Sequence, residues 1–95
     1  MTLTTLYGTH LLKHLKIKIY SKPNCVFCEK AIEAANEQAA KHSSIEVIVL
    51  KLHDDFDTPT MRIIFPEAKT YPQIIVDDMH VGGYEEFIEE IRISN

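Results

Sequence analysis

The chain has 95 residues, enough for one hydrophobic core and no second. Apolar residues make up 45% and charged residues 25%, the balance of a water-soluble globular domain. A net charge of -4 argues against nucleic acid as a partner, which would call for a basic stripe, and no apolar run is long enough to cross a bilayer.

Residues 1–15 contain apolar side chains but lack the charged start and unbroken apolar stretch of a secretory signal. Lys13 and Lys16 follow the apolar residues instead of preceding them. The expected compartment is therefore the cytoplasm, where thiols are kept reduced. There, the two cysteines of the chain are expected to serve catalysis or metal binding, not to staple the fold.

Residues 1–15 fit no element and are expected to form a lead-in segment, either flexible or a short extra helix. Lys16 to Tyr20 alternates with period two, as a strand does. Ser21-Lys22-Pro23-Asn24 is a turn. Beyond it Cys28, Ala31, Ile32, Ala35 and Ala39 recur at helical spacing, with Glu29, Lys30, Glu33, Glu37 and Lys41 on the other face. This predicts a helix from about residue 25 to 42, supported by the i,i+4 pair Glu37 and Lys41. Ile45 to Leu52 reads as a strand buried on both faces.

Asp57-Thr58-Pro59 carries a capping side chain and a first-turn proline, the start of a short helix. Met61, Ile64 and Phe65 form its apolar side, and Pro66 ends it. Gln73 to Val76 and Met79 to Val81 predict a hairpin about Asp77-Asp78. Gly82-Gly83 interrupts the chain before a last helix from Tyr84 to Ile93, with Phe87, Ile88 and Ile91 inward. Strand, helix, strand requires a parallel pair; the hairpin must be antiparallel. A single α/β domain over residues 16–95 follows, with a mixed sheet flanked by helices.

Cys25-Val26-Phe27-Cys28 falls where the first strand hands over to the first helix. A spacing of three on a helix brings both sulfurs within one turn, close enough to bond. Cys25 stands at the helix N-terminus, where unpaired amides and the macrodipole favour a thiolate, and Lys22 adds a nearby positive charge. Thiolate is the species that attacks disulfides. Cys28, a turn further in, is more shielded and suited to resolving a mixed disulfide. Two other readings stand beside this one. A zinc site would need ligands from His10, His14, His42, His53 or His80, none of which has His-x-His spacing. Inert core cysteines are common, but rarely sit at such a junction. Redox chemistry is the reading the setting favours.

Three segments together resemble the glutaredoxin family, a resemblance that covers residues 16–93. They are Tyr20 to Cys28, Thr70-Tyr71-Pro72-Gln73-Ile74, and Val81-Gly82-Gly83-Tyr84-Glu85-Glu86-Phe87. The resemblance implies a thioredoxin-like fold with a four-stranded mixed sheet, and a cis peptide bond before Pro72. It also implies a glutathione site. Tyr71 would pair through its backbone with the cysteinyl unit, like an added strand. Gly83, the Tyr84 amide, and the Glu85 amide and side chain would hold the γ-glutamyl end. Lys22 would attract the glycine carboxylate, with Arg62 as a second anchor. The sequence departs from the family in Val-Phe for the commonest Pro-Tyr between the cysteines. Tyr71 is bulkier than the frequent valine. Glu85-Glu86 stands for a more usual Ser, Thr or Asp followed by Asp, which places an additional carboxylate at the γ-glutamyl corner.

By the same resemblance the chain is expected to be a glutathione-dependent thiol–disulfide oxidoreductase with Cys25 and Cys28 as catalytic residues. It would serve electron transport and cell redox homeostasis, with no metal and no bound cofactor, glutathione being the reducing co-substrate. Expected partners are glutathionylated or disulfide-containing proteins, ribonucleotide reductase among the candidates, and the expected state is a monomer. Two alternatives belong to the same family picture. One is a donor recharged by thioredoxin reductase. The other is a carrier of a glutathione-ligated iron–sulfur cluster, for which Val26-Phe27 is less suited than a small residue after the first cysteine.

Overall fold

The computed structural model describes residues 15–94. Its elements are β1 (Leu15–Ser21), α1 (Val26–Lys41), β2 (Ile45–Lys51), α2 (Thr58–Ile64), β3 (Gln73–Val76), β4 (Met79–Gly82) and α3 (Tyr84–Ser94). The strands form one four-stranded sheet in the order β2-β1-β3-β4. β1 and β2 are parallel, as the helix between them requires; β1–β3 and β3–β4 are antiparallel. The lead-in expected over residues 1–15, with His10 and His14, lies outside the described residues except for Leu15, which opens β1.

Alternation along β1 divides the interior between two faces. Ile17 and Ile19 point to one side, where they meet Ala31 and Ala35 of α1, Ile74 of β3 and Phe87 of α3. The two alanines let α1 lie close against the sheet, and both are fully buried. Phe87 is 2% exposed, and burying a ring of that size contributes roughly 2–3 kcal/mol. Tyr20 has the opposite parity and joins Met61 and Phe65, with Leu50, Phe56, Tyr71 and Ile75 around them. Here the contacts are largely edge-to-face between rings: Tyr20 lies 5.1 Å from Phe56 and 5.0 Å from Phe65. Among the described residues no helix is long and apolar enough to cross a membrane.

Two expectations need correction. β2 is not buried on both faces; it is an edge strand of half-buried residues flanked by exposed Glu46 and Lys51. The fully buried strand residues belong to β1 and β3, which have neighbours on both sides. Ile64 does not join the apolar side of α2: it is 39% exposed, and only Met61 and Phe65 turn inward. A seven-residue helix is too short to present more than one inward turn.

Helix starts follow the sequence signals. The Asp57 carboxylate accepts from the Thr60 amide at 2.9 Å and caps α2, with Pro59 in its first turn. Hydrogen bonding from the Thr60 side chain and amide holds the Asp57 carboxyl below the usual aspartate range. In the hairpin, Ile75 faces His80 but Ile74 faces Gly82, so Val81 is an extra residue, a β-bulge. Gly82 beyond it has φ +120°, a backbone conformation glycine alone adopts readily.

Candidate active site

The site begins where β1 ends. Ser21 is buried and its hydroxyl donates to the Leu50 carbonyl at 3.0 Å, tying the strand end to β2. The chain then turns through Lys22-Pro23-Asn24, with Asn24 at φ 55°, a left-handed conformation asparagine tolerates. This turn delivers Cys25 to the N-cap of α1, where its Sγ accepts from the Cys28 amide at 3.1 Å. Cys25 and Cys28 are joined as a disulfide, their Cα atoms 5.2 Å apart. Cys25 is 8% exposed and Cys28 2%, so the second sulfur is the more shielded, as its place one turn in implies.

The cap contact carries chemical meaning. An amide aimed at a cysteine sulfur stabilises the thiolate far more than the neutral thiol, because the bond becomes charge-assisted. The helix N-terminus adds its dipole at the same atom. Of the two sulfurs, Cys25's is the one that receives this contact.

Beside the dithiol lies a cleft of about 360 Å³ lined by Phe27, Thr70, Tyr71, Pro72, Gly83, Tyr84, Glu85 and Glu86, within the size range of small-molecule sites. One wall is the Thr70–Pro72 segment, whose Tyr71–Pro72 bond is cis. Burial holds the Tyr71 phenol above the usual tyrosine range, so it stays neutral. Its ring stacks against Phe56 at 6.5 Å, and the Lys22 ammonium sits 5.5 Å from its centre. The opposite wall is the start of α3. There the Glu86 carboxylate reaches back to accept from the Gly83 amide at 2.9 Å, one half of a capping box.

The sequence-predicted residues are brought together with one exception. Tyr71, Pro72, Gly83, Tyr84 and Glu85 line the cleft, and Lys22 joins them through Tyr71. Arg62, exposed on α2, is not part of the lining. Three residues were missed by sequence reasoning. Phe27 lines the cleft with its ring 5.6 Å from that of Tyr84, and the Lys30 ammonium lies 5.5 Å from the Phe27 ring centre. Thr70 completes the loop wall. Glu86 serves its own helix through Gly83 rather than standing as a free carboxylate; the signal was a Gly N-cap with Glu three residues on. A Cβ at Gly82 would press on the Glu86 side chain at 3.0 Å, whereas one at Gly83 would make ordinary contact with the Pro72 carbonyl at 3.4 Å. A wider depression on α1, about 610 Å³, is lined by Glu29, Ile32, Glu33, Asn36, Glu37 and Ala40. All six lie on α1, so it gathers no converging groups from a second element.

Known proteins agree with this geometry. The family model described as Glutaredoxin matches residues 17–81. A glutaredoxin of Vibrio cholerae is 29% identical over 73 residues, 75% of this chain and 84% of that protein. Glutaredoxin-1 of variola virus is 28% identical over 85 residues, 82% of this chain and 73% of that protein. The solved structure of reduced Escherichia coli glutaredoxin superposes with a TM-score of 0.73 at 21% identity, covering 82% of this chain and 94% of that one. The fold is therefore thioredoxin-like, a four-stranded mixed sheet with three helices. With the family model spanning the dithiol, both strands of the central pair and the cis-proline loop, the chain belongs to the glutaredoxin family of thiol–disulfide oxidoreductases.

Proposed function

We propose that the protein reduces glutathione mixed disulfides and protein disulfides, with glutathione as its reductant. The observation that carries this reading is the cleft next to the cysteines. It combines the cis-proline segment Tyr71–Pro72 and a helix start at Gly83–Glu85 with Phe27, a residue of the Cys25–Cys28 segment itself, while Lys22 stands over the Tyr71 ring. A tripeptide thiol with carboxylates at both ends matches that layout. Its cysteinyl unit would lie along Tyr71 as an added strand, its γ-glutamyl end at the Tyr84 and Glu85 amides, and its glycine carboxylate toward Lys22.

In the first reaction the Cys25 thiolate attacks the glutathione sulfur of a glutathionylated protein. A Cys25–glutathione disulfide forms and the protein thiolate leaves. A second glutathione, as thiolate, attacks that disulfide; glutathione disulfide leaves and Cys25 returns as thiolate. In the second reaction Cys25 forms a mixed disulfide with a protein disulfide. Cys28 then attacks Cys25, releasing the reduced protein and leaving the Cys25–Cys28 disulfide seen in the structure. Two glutathione molecules reduce it, yielding one glutathione disulfide. The amide of Cys28 holds the charge on Cys25 whenever it is a leaving group. No resident metal or cofactor enters either cycle.

The proposal places the protein in the cytoplasm as a monomer, acting on glutathionylated and disulfide-bonded proteins, with ribonucleotide reductase as one candidate substrate. The test is turnover of a glutathione mixed disulfide with glutathione, glutathione reductase and NADPH, beside a parallel reaction driven by thioredoxin reductase. Activity with glutathione alone is expected. Activity with thioredoxin reductase alone would keep the dithiol and overturn the roles given to Lys22, Tyr71, Tyr84 and Glu85.

A further inference from the structure

Among the described residues the buried polar side chains are Ser21 and Gln73. Ser21 serves the sheet. Gln73 does something different, since its carboxamide joins two segments that share no ladder. Its Nε2 donates to the Thr70 carbonyl at 2.9 Å and approaches Thr70 Oγ1 at 3.5 Å. Its Oε1 lies 2.7 Å from His80 Nε2. The contact with Thr70 fixes the amide orientation, because the flipped form would set two oxygens against each other. A carboxamide oxygen only accepts, so His80 must carry its hydrogen on Nε2.

The hairpin register explains the meeting. Ile75 faces His80 across the ladder, and Gln73 and Ile75 share a face by alternation, so Gln73 and His80 point to the same side. The His80 ring also lies 4.6 Å from Phe65, which fixes it from below. The chain Phe65–His80–Gln73–Thr70 thus runs from the α2 face to the cleft wall.

We infer that Gln73 and His80 are positioning residues that hold the Thr70–Pro72 segment in the geometry the substrate backbone meets. This rests on the function proposed above, in which Tyr71 pairs with the cysteinyl unit. Tyr71 and Pro72 sit between two fixed points. The Thr70 carbonyl is held by the Gln73 side chain, and Gln73 itself is paired with Tyr20 in β1. Tyr71 packs on Phe56 and Pro72 is buried, so without the clamp it is the Thr70 end of the span that loses its hydrogen-bonded anchor, and ordering that end falls to the substrate as an entropic cost of binding. Sulfur chemistry at Cys25 is untouched, so the effect belongs to binding and not to the exchange step.

The experiment has two parts. Histidine-labelled ¹⁵N spectra at a pH of about 8.5, where an ordinary imidazole is neutral, report the tautomer of His80 without substrate. Wild type is expected to show Nε2–H alone, and Gln73→Leu a mixture; a mixture in wild type overturns the clamp. Turnover of a glutathione mixed disulfide then reads its use. Gln73→Leu is expected to raise KM about fivefold, the worth of one neutral hydrogen bond, with kcat unchanged. His80→Leu is expected to raise KM about threefold in wild type and not at all on top of Gln73→Leu, since one network cannot be broken twice. His80→Asn, which keeps a donor at that edge, should recover part of the loss. Unchanged KM in Gln73→Leu, additive losses, or an equal fall of kcat with loss of thermal stability would each overturn the inference. Wild-type protein inactive with glutathione would instead sink the proposed function, and the tautomer would still decide the clamp.

Discussion

Cys25 and Asp57 occupy the same structural position on two helices. Each is an N-cap whose side chain accepts from the backbone amide three residues on, at 3.1 Å for Cys28 and 2.9 Å for Thr60. At Asp57 the acceptor is a solvated carboxylate, held below the usual aspartate range by hydrogen bonds from the Thr60 side chain and then its amide, both of which prefer an anion. At Cys25 the corresponding amide, that of Cys28, faces the sulfur of a residue only 8% exposed, two positions before Phe27, which lines a substrate-sized cleft. A helix start offers the same stabilisation to both. Only the atom that receives it, and what lies next to it, separates a structural cap from a reactive one.

Exchanging the atom tests this most severely. Cys25→Ser puts a favourable capping residue in place of the sulfur. It should abolish turnover of every disulfide substrate while leaving the thermal midpoint no lower than that of the reduced wild type. A large loss of stability would show that Cys25 contributes more to the fold than a cap does. Cys28→Ser keeps the Cys28-position amide and removes only the resolving thiol. It should remove most reduction of protein disulfides and spare deglutathionylation to within a few-fold; equal loss on both substrates would reverse the roles of the two sulfurs.

Smaller effects come from the neighbourhood that makes one cap reactive. Phe27→Ala removes the ring that meets Tyr84 across the cleft. An aromatic pair is worth about 0.5–1.5 kcal/mol, so KM for a glutathione mixed disulfide should rise about two- to tenfold, with kcat changed less. Smallest is Asp57→Ala, expected to leave turnover intact and lower the thermal midpoint by a few degrees. The sign with pH follows from the lowered pKa. The cap's charge-linked contribution is present above the ordinary aspartate value of 3.8 and is lost as pH falls through the lower folded value. The gap between variant and wild type should therefore narrow in acid; a constant gap would mean that the charge plays no part.

Much of this site was legible in the sequence because its signals are local. A cysteine at a strand-to-helix junction, a capping aspartate before a proline, and paired glycines before a helix each act within one turn. What was missed depends on the other side of a contact. The Ile-Val-Leu run of β2 is the same whether one or two strands flank it, and only the sheet order shows it at the edge. Phe27 reads as an outward helical residue until Tyr84 arrives from near the other end of the chain. His80 carries no signal of its own beyond a ligand-bearing imidazole, although a two-residue turn at Asp77-Asp78 implies that it faces Ile75. The bulge at Val81 ends that register beyond Ile75, and no sequence pattern announced it.

The unequal edges of the sheet bear on how the protein behaves among its own copies. β4 is four residues long and bulged, a poor template for another strand. β2 offers seven residues in unbroken register with β1. Among the described residues β2 is therefore the edge whose backbone would serve a pairing strand as the longer and straighter template, and β4 the edge that refuses one.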